Sequence, residues 1–130
     1  MRILVADDNQ EAVEAIKKFL TRREYVLDTA FDGKEALDLL KLKKYDLILL
    51  DHDMPEITGL ELLDYIKKNA PQTKIVMITG YAEMENFAAK EMGADEYLTK
   101  PLNLQEIEGI IEKYKNTESQ DGKEKNPDSR

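Results

Sequence analysis

Asp51 is the residue whose position in this sequence most clearly suggests chemistry. It follows residues 45–50, a mostly apolar run that is typical of a strand buried on both faces. Two further polar residues, His52 and Asp53, come directly after it. A carboxylate at the carboxyl end of a buried parallel strand stands where open α/β sheets bind ligands, so Asp51 is predicted to face a crevice.

A second pair of acids, Asp7 and Asp8, follows the first apolar run at residues 3–6. If that run and residues 45–50 form neighbouring strands, Asp7, Asp8 and Asp51 converge on one crevice. Carboxylates held that close repel each other, which raises the pKa of at least one of them and favours a bound cation. The sequence therefore predicts a cation site at this edge of the sheet.

A hydroxyl and an ammonium group follow two further strand candidates. Thr79 comes after residues 74–78, and Lys100 with Pro101 comes after residues 96–98. Phosphoryl transfer needs this set of groups. A cation neutralises phosphoryl oxygens, a hydroxyl donor and a lysine charge bind the others, and an acceptor oxygen lies in line with the bond that breaks. The sequence has no Gly-rich phosphate loop, so a nucleotide is not expected, and one carboxylate is itself the candidate nucleophile.

The elements that must position these residues alternate along residues 2–115. Strands are predicted at residues 3–6, 25–30, 45–50, 74–78 and 96–98, the second of them at an edge. Helical patterns begin near Asn9, Asp32-Gly33 and Thr58-Gly59, then at about residue 83 and at Leu104. This alternation predicts one α/β domain with a doubly wound, five-stranded parallel sheet, five helices on both faces, and right-handed crossovers.

Composition excludes several classes of protein. The 130 residues include no cysteine, which rules out disulfides and thiolate metal sites. No apolar run approaches the roughly 20 residues of a membrane span, so we expect a cytoplasmic protein without membrane contact. The net charge of −8 argues against direct nucleic-acid binding. Residues 116–130 lack aliphatic and aromatic residues and are predicted to be a flexible charged tail or the start of a linker.

In order and spacing, these motifs resemble the receiver domain of bacterial two-component response regulators. The resemblance spans about residues 1–115 and rests on four motifs: Asp7-Asp8, Asp51 before Met54-Pro55, Thr79 before a small residue, and Lys100-Pro101. It implies a flavodoxin-like sheet with strand order 2-1-3-4-5. It also implies a stand-alone phosphorylation switch, which catalyses only its own phosphorylation and dephosphorylation and is not otherwise an enzyme.

The resemblance assigns roles to the site residues. Asp51 would accept a phosphoryl group from the phosphohistidine of a sensor histidine kinase or a histidine phosphotransfer protein. Mg²⁺, or Mn²⁺ in its place, would be held by Asp8, Asp51 and the backbone carbonyl of Asp53, with Asp7 acting mostly through water. Lys100 would contact the phosphoryl oxygens.

The resemblance also implies a switch and an output surface. Thr79 would turn inward to hydrogen-bond the phosphoryl group, and Tyr97 would move inward with it. The readout surface would be the fourth predicted helix, the fifth strand and the fifth predicted helix, which would bind a downstream protein target or form a weak dimer of otherwise monomeric chains. The Lys100-Pro101 peptide bond is expected to be cis.

Asp53 and Tyr81 depart from the shared motifs and are candidate modulators. Each lies two residues beyond a site residue, Asp51 and Thr79 respectively, and faces the place where water would attack an aspartyl phosphate. We expect them to set the lifetime of the phosphorylated state. His52, the only histidine, is interpreted as an incidental neighbour of Asp51.

One alternative reading is an enzyme. The sequence Asp51-His52-Asp53 also matches the Asp-x-Asp of haloacid-dehalogenase-type phosphatases, with Asp51 as nucleophile and Asp53 as acid/base. That family places its metal-binding acids after the nucleophile, whereas Asp7-Asp8 precede Asp51 here. The chain also leaves no room for a substrate-covering cap, so the receiver interpretation is preferred.

Overall fold

The computed structural model of the chain describes residues 1–21, 25–80 and 93–125, with side chains to residue 115. The strands are β1 (Arg2–Ala6), β2 (Val26–Ala30), β3 (Leu47–Asp51), β4 (Lys74–Thr79) and β5 (Glu96–Thr99). The described helices are α1 (Gln10–Thr21), α2 (Gly33–Leu42), α3 (Gly59–Asn69) and α4 (Leu104–Lys125), of which α4 is the helix predicted fifth. The helix predicted over about 83–92 and Tyr81 lie outside the described residues.

The five strands form one parallel sheet in the order β2-β1-β3-β4-β5. This confirms the predicted doubly wound α/β fold, and it confirms that β2 is an edge strand. Because β1 and β3 are neighbours, the carboxyl ends that carry Asp7 and Asp51 lie side by side, as the sequence required. The order reverses between β1 and β3, which is the position where open α/β sheets bind ligands.

The central strand β3 is the structural basis of the site. All five of its residues are buried, and its four apolar side chains alternate between two apolar clusters. Ile48 and Leu50 belong to the cluster that includes α2 and α3 residues, whereas Leu47 and Leu49 belong to the one that includes α1 and α4 residues. Each such side chain contributes about 1.5–3 kcal/mol on burial, so Asp51 stands on a strand with little freedom to move.

Side-chain caps fix where the helices begin. Asn9 Oδ1 accepts the Ala12 N–H at 3.1 Å ahead of α1, and Asp32 Oδ1 accepts the Glu35 N–H at 2.8 Å ahead of α2. Thr58 forms a reciprocal capping box with Glu61 at the start of α3. These caps satisfy N–H groups that have no partner within the helix, and they confirm the predicted starting points.

The C-terminal helix differs from the sequence prediction in its length. The apolar pattern stops at Tyr114, but the α4 backbone stays helical to Lys125. The segment after Tyr114 contains no proline before Pro127, so nothing in its covalent structure forces the helix to end earlier. Among the described residues, no helix is long and apolar enough to cross a membrane.

The loop after Asp51 is held by close contacts at two glycines. The Gly33 N–H donates to the Pro55 carbonyl at 3.2 Å, and a Cβ built on Gly33 would lie 1.9 Å from the Ile57 carbonyl oxygen. A Cβ on Gly59 would lie 2.4 Å from the Asp51 carbonyl oxygen. The first turns of α2 and α3 therefore press against the loop and leave no room for a side chain.

We expect Gly33→Ala to lower the free energy of unfolding by about 1–3 kcal/mol, because the methyl group must displace the loop backbone at Ile57. The matched control is Gly109→Ala, an exposed position in α4 where a Cβ has open space. That change should raise stability by up to about 1 kcal/mol, since glycine is a poor helix former. Urea denaturation measures both, and equal effects at the two positions would contradict the packing described.

Candidate functional site

The predicted site residues lie together at the carboxyl edge of the sheet. Asp7 follows β1, Asp51 ends β3 and Thr79 ends β4, and all three are buried. Asp8 is exposed at the mouth of the same crevice, and Lys100 follows β5. Four neighbouring strands thus contribute one polar group or more to a single crevice.

The carboxylates of Asp7, Asp8 and Asp51 form a cluster that suits a metal ion. One oxygen from each residue lies within 4.8 Å of the other two. Asp7 Oδ1 accepts the Asn9 N–H at 2.9 Å, but the buried Asp7 Oδ2 has no hydrogen-bond partner within the described part of the chain. A buried oxygen left without a donor is costly, so a cation fits this position. Oxygen-only donors suit a hard divalent ion such as Mg²⁺ or Mn²⁺.

Lys100 provides a positive charge on the open side of Asp51. Its Nζ lies 3.3 Å from both Oδ1 and Oδ2 of Asp51. Burial lowers the pKa of Lys100, but the attraction of Asp51 and Asp7 outweighs burial, so the pKa is raised. The ammonium group is therefore charged and lies close to both Asp51 oxygens, either of which could accept a phosphoryl group.

The crowding of acids changes the ionisation of Asp51. Burial is the largest cause and the negative charge of Asp7 the next; together they raise the pKa of Asp51 from 3.8 to about 7. Attraction to Lys100 and the backbone N–H of Asp53 oppose this rise without cancelling it. In the absence of a cation, the carboxyl group therefore keeps its proton at pH values where an ordinary aspartate has lost it.

The two residues of the predicted switch occupy adjacent strands. Thr79 is buried at the end of β4 and pairs in register with Thr99 of β5. Tyr97 lies two residues earlier on β5 with 37% of its surface exposed, so its ring is outward. The Lys100 N–H donates to the Thr79 carbonyl at 2.8 Å, which ties the end of β5 to the switch threonine.

The backbone of Asp53 contacts Asp51, whereas its side chain contacts His52. The Asp53 N–H donates to Asp51 Oδ1 at 3.3 Å, while the carboxylate is 65% exposed and lies 3.2 Å from His52 Nδ1. Sequence reasoning treated His52 as incidental. The structure gives it a specific partner beside the acceptor, and only the adjacency of His52 and Asp53 in the sequence could have suggested this.

A cleft of about 360 Å³ opens beside the acidic cluster, between α1 and the segment that follows β5. Asp7 and Lys100 line its inner end, and apolar side chains line the remainder, namely Ala12, Ala15, Ile16, Pro101, Leu102 and Leu104. The Lys100-Pro101 peptide bond at its rim is cis, as expected from the sequence. The cleft can admit a molecule larger than an ion to Lys100, whose Nζ lies 3.3 Å from the Asp51 carboxylate.

A family model describes the same protein class. Residues 3–112 match the response regulator receiver domain. The chain therefore belongs to this family, whose members are phosphorylation-dependent signalling switches of two-component systems. The haloacid-dehalogenase-type alternative gains no support, since the receiver match covers Asp7-Asp8, the acids whose position before Asp51 distinguishes the two families.

Two of the relatives that this chain resembles in sequence are transcriptional regulatory proteins. The chain is 34% identical over 108 residues to the transcriptional regulatory protein DltR of Streptococcus agalactiae, covering 82% of this chain and 48% of that protein. It is 35% identical over 119 residues to the transcriptional regulatory protein CrdR of Helicobacter pylori, covering 88% and 55%. The chain thus spans about half the length of these relatives.

Solved structures show the same fold at similar identity. A CheY-like receiver domain protein from Methanospirillum hungatei is 34% identical with a TM-score of 0.82, covering 92% of this chain and 97% of that one. The response regulator TrrA of Thermotoga maritima, solved in complex with Mg²⁺-BeF, is 37% identical with a TM-score of 0.78, covering 87% and 97%.

The raised Asp51 pKa leads to a pH dependence of stability without added metal. The folded-state pKa of about 7 lies above the ordinary 3.8, so the folded protein holds the proton more tightly. The resulting contribution to the free energy of unfolding is fully present below pH 3.8 and is lost as the pH rises through about 7. Because an amide does not ionise, we expect Asp51→Asn to abolish this fall in stability with rising pH. Above neutral pH, the metal-free variant should be more stable than the wild type by about 1–3 kcal/mol.

Denaturation in a metal chelator across this pH range measures the effect. The matched control is Asp64→Asn, an exposed acid of α3 paired with Lys68 at 3.1 Å. That variant should keep the wild-type slope. A wild-type slope in Asp51→Asn would show that the carboxyl group of Asp51 is not the group responsible.

Proposed function

We propose that this chain is a switch that accepts a phosphoryl group on Asp51 from the phosphohistidine of a kinase or phosphotransfer protein. The observation that carries the proposal is the setting of the Asp51 carboxylate. It is buried, both of its oxygens lie 3.3 Å from Lys100 Nζ, and it shares a cluster with Asp7 and Asp8. The family match supports the same function.

Ionisation of Asp51 is the first requirement, because only the carboxylate is a nucleophile. Lys100 supplies one positive charge that favours this form, and Asp7 opposes it. A bound Mg²⁺ would, together with Lys100, offset the charge of the three acids and attract the incoming phosphoryl oxygens. Asp8, Asp51 and the Asp53 carbonyl are the proposed ligands, and Asp7 is proposed to act through bound water.

After transfer, the phosphoryl group adds negative charge where Lys100 and Thr79 can bind it. We propose that Lys100 pairs with one phosphoryl oxygen and that the Thr79 hydroxyl donates to another. Movement of Thr79 would leave space that the outward Tyr97 ring can enter. We propose that both conformations exist before transfer, so that the phosphoryl group acts by shifting their populations.

The output is proposed to be a change in binding to a protein partner. The surface would comprise β5, α4 and the helix predicted over about 83–92. It would contact a downstream target, relay the phosphoryl group, or support a weak dimer. The match covers only about half of each relative that is a transcriptional regulator, and direct nucleic-acid binding is not proposed for the residues described.

The cleft beside Asp51 is the proposed route for the donor. Its apolar wall on α1 suits a protein surface, and Lys100 in its lining would meet an entering phosphohistidine. The lifetime of the product is proposed to depend on Asp53 and Tyr81, the residues two positions beyond Asp51 and Thr79 in the sequence. Their substitution should change the rate of dephosphorylation.

Labelling with acetyl phosphate tests the acceptor. We expect the wild-type chain to gain one phosphoryl group in the presence of Mg²⁺, and Asp51→Asn to lose at least about 100-fold of the labelling rate because the amide is not a nucleophile. Intact-mass spectrometry measures the product. Asp38→Asn, an exposed acid of α2, is the control that should label normally. Undiminished labelling of Asp51→Asn would place the acceptor elsewhere.

Mg²⁺ should stabilise the folded chain, because the ion binds the cluster of the folded state only. At a hundredfold excess over its dissociation constant the gain is about 2.7 kcal/mol. We expect Asp8→Asn to lose most of the Mg²⁺-dependent rise in melting temperature, while Asp64→Asn keeps it. An unaltered response in Asp8→Asn would count against the metal assignment even if labelling of Asp51 were observed.

A further inference from the structure

His52, the residue next to the acceptor, is held by hydrogen bonds on both sides of its backbone. Its N–H donates to the Ile78 carbonyl at 2.8 Å, and its carbonyl accepts the Gly59 N–H at 3.0 Å. Its side chain is only 17% exposed. The imidazole is therefore held in a defined place at the end of β3, next to Asp51.

Asp53 is fixed in its backbone but not in its side chain. Its N–H binds Asp51 Oδ1, and the loop that follows is held by Gly33 and Gly59. The carboxylate is mostly exposed, so rotation about its side-chain bonds is the main freedom left to it. This carboxylate contacts His52 Nδ1 at 3.2 Å. A carboxylate can only accept a hydrogen bond, so this contact requires the Nδ1–H form of the ring.

The Asp53 carboxylate lies outside the acidic cluster. In the described part of the chain, the clustered carboxylates are those of Asp7, Asp8 and Asp51; the Asp53 carboxylate is not among them although it belongs to the adjoining loop. Repulsion from three acids disfavours its entry in the metal-free protein. Once a cation and Lys100 offset those charges, the hydrogen bond to His52 remains the interaction that holds Asp53 outside.

We propose that His52 is a positioning residue, which holds the Asp53 carboxylate away from the acceptor and thereby lengthens the life of the phosphorylated state. The proposal rests on the proposed function of Asp51. Released from His52, the carboxylate can rotate toward the open side of Asp51, where it would accept a hydrogen bond from a water molecule and orient it.

The reaction that His52 restrains is hydrolysis of the acyl phosphate. The water oxygen attacks phosphorus, the bond between phosphorus and the Asp51 oxygen breaks, and its electron pair stays on the Asp51 carboxylate. The water gives up one proton to the phosphate that leaves, so the products are the free carboxylate and dihydrogen phosphate. No oxidant or further reactant is needed.

A matched pair of substitutions separates the hydrogen bond from the bulk of the ring. His52→Asn places its amide N–H where Nδ1 lies and can still donate to Asp53. His52→Gln carries the same group one bond further out, at the position of Nε2, where the contact is lost. Each is made in the wild-type chain and in Asp53→Ala, and all are labelled with acetyl phosphate and Mg²⁺.

The measurement is the first-order loss of the phosphoryl group after removal of the donor. We expect His52→Gln to lose it about 3- to 10-fold faster than wild type, as one well-placed hydrogen bond of about 1 kcal/mol allows. His52→Asn should decay at close to the wild-type rate. In the Asp53→Ala background, the two His52 variants and His52 itself should decay alike, since no carboxylate remains to be positioned.

Other results would overturn the inference in distinct ways. Equal decay of His52→Gln and wild type would show a surface contact without consequence, and slower decay would reverse the proposed direction. A faster decay that persists in Asp53→Ala would mean that His52 acts through another group. Failure of wild type to label at Asp51 would overturn the proposed function, and the inference with it.

Discussion

Repulsion among the acids around Asp51 is the constraint on which the rest of the site depends. Asp7 and Asp51 are buried side by side, and Asp8 brings a third carboxylate to the same crevice. Burial and repulsion raise the pKa of Asp51 to about 7. Burying these carboxylates together costs free energy unless positive charge compensates them. Lys100 provides part of that charge, and a divalent cation can provide the rest.

The remainder of the fold prevents the acids from moving apart. The apolar side chains of β3 hold Asp51 between two cores, so the carboxylate has no easy way to move away from Asp7. Gly33 and Gly59 bring two helix starts against the loop that follows, which limits Asp53 to side-chain rotation. Local rigidity of this kind converts a change of charge at one residue into a change of conformation elsewhere, because packed elements do not deform gradually.

Much of this arrangement was predictable from sequence, for identifiable reasons. Buried parallel strands are long apolar runs, so β1, β3 and β4 and the polar residues after them were evident, and the caps at Asn9, Asp32 and Thr58 marked the helices. The strand order came from family resemblance, not from periodicity. The partner of His52 and the length of α4 were missed, since neither a side-chain contact in a loop nor a polar helix leaves an apolar pattern.

Counting the protons released when Mg²⁺ binds would test the central claim most directly. Calorimetry in buffers of different ionisation enthalpy gives this number about one pH unit below and above the Asp51 pKa of about 7. Below that pKa we expect nearly one proton per ion and weaker binding, and above it almost none and tighter binding. Equal affinity at both pH values with no proton released would show that Mg²⁺ binding does not require Asp51 to ionise.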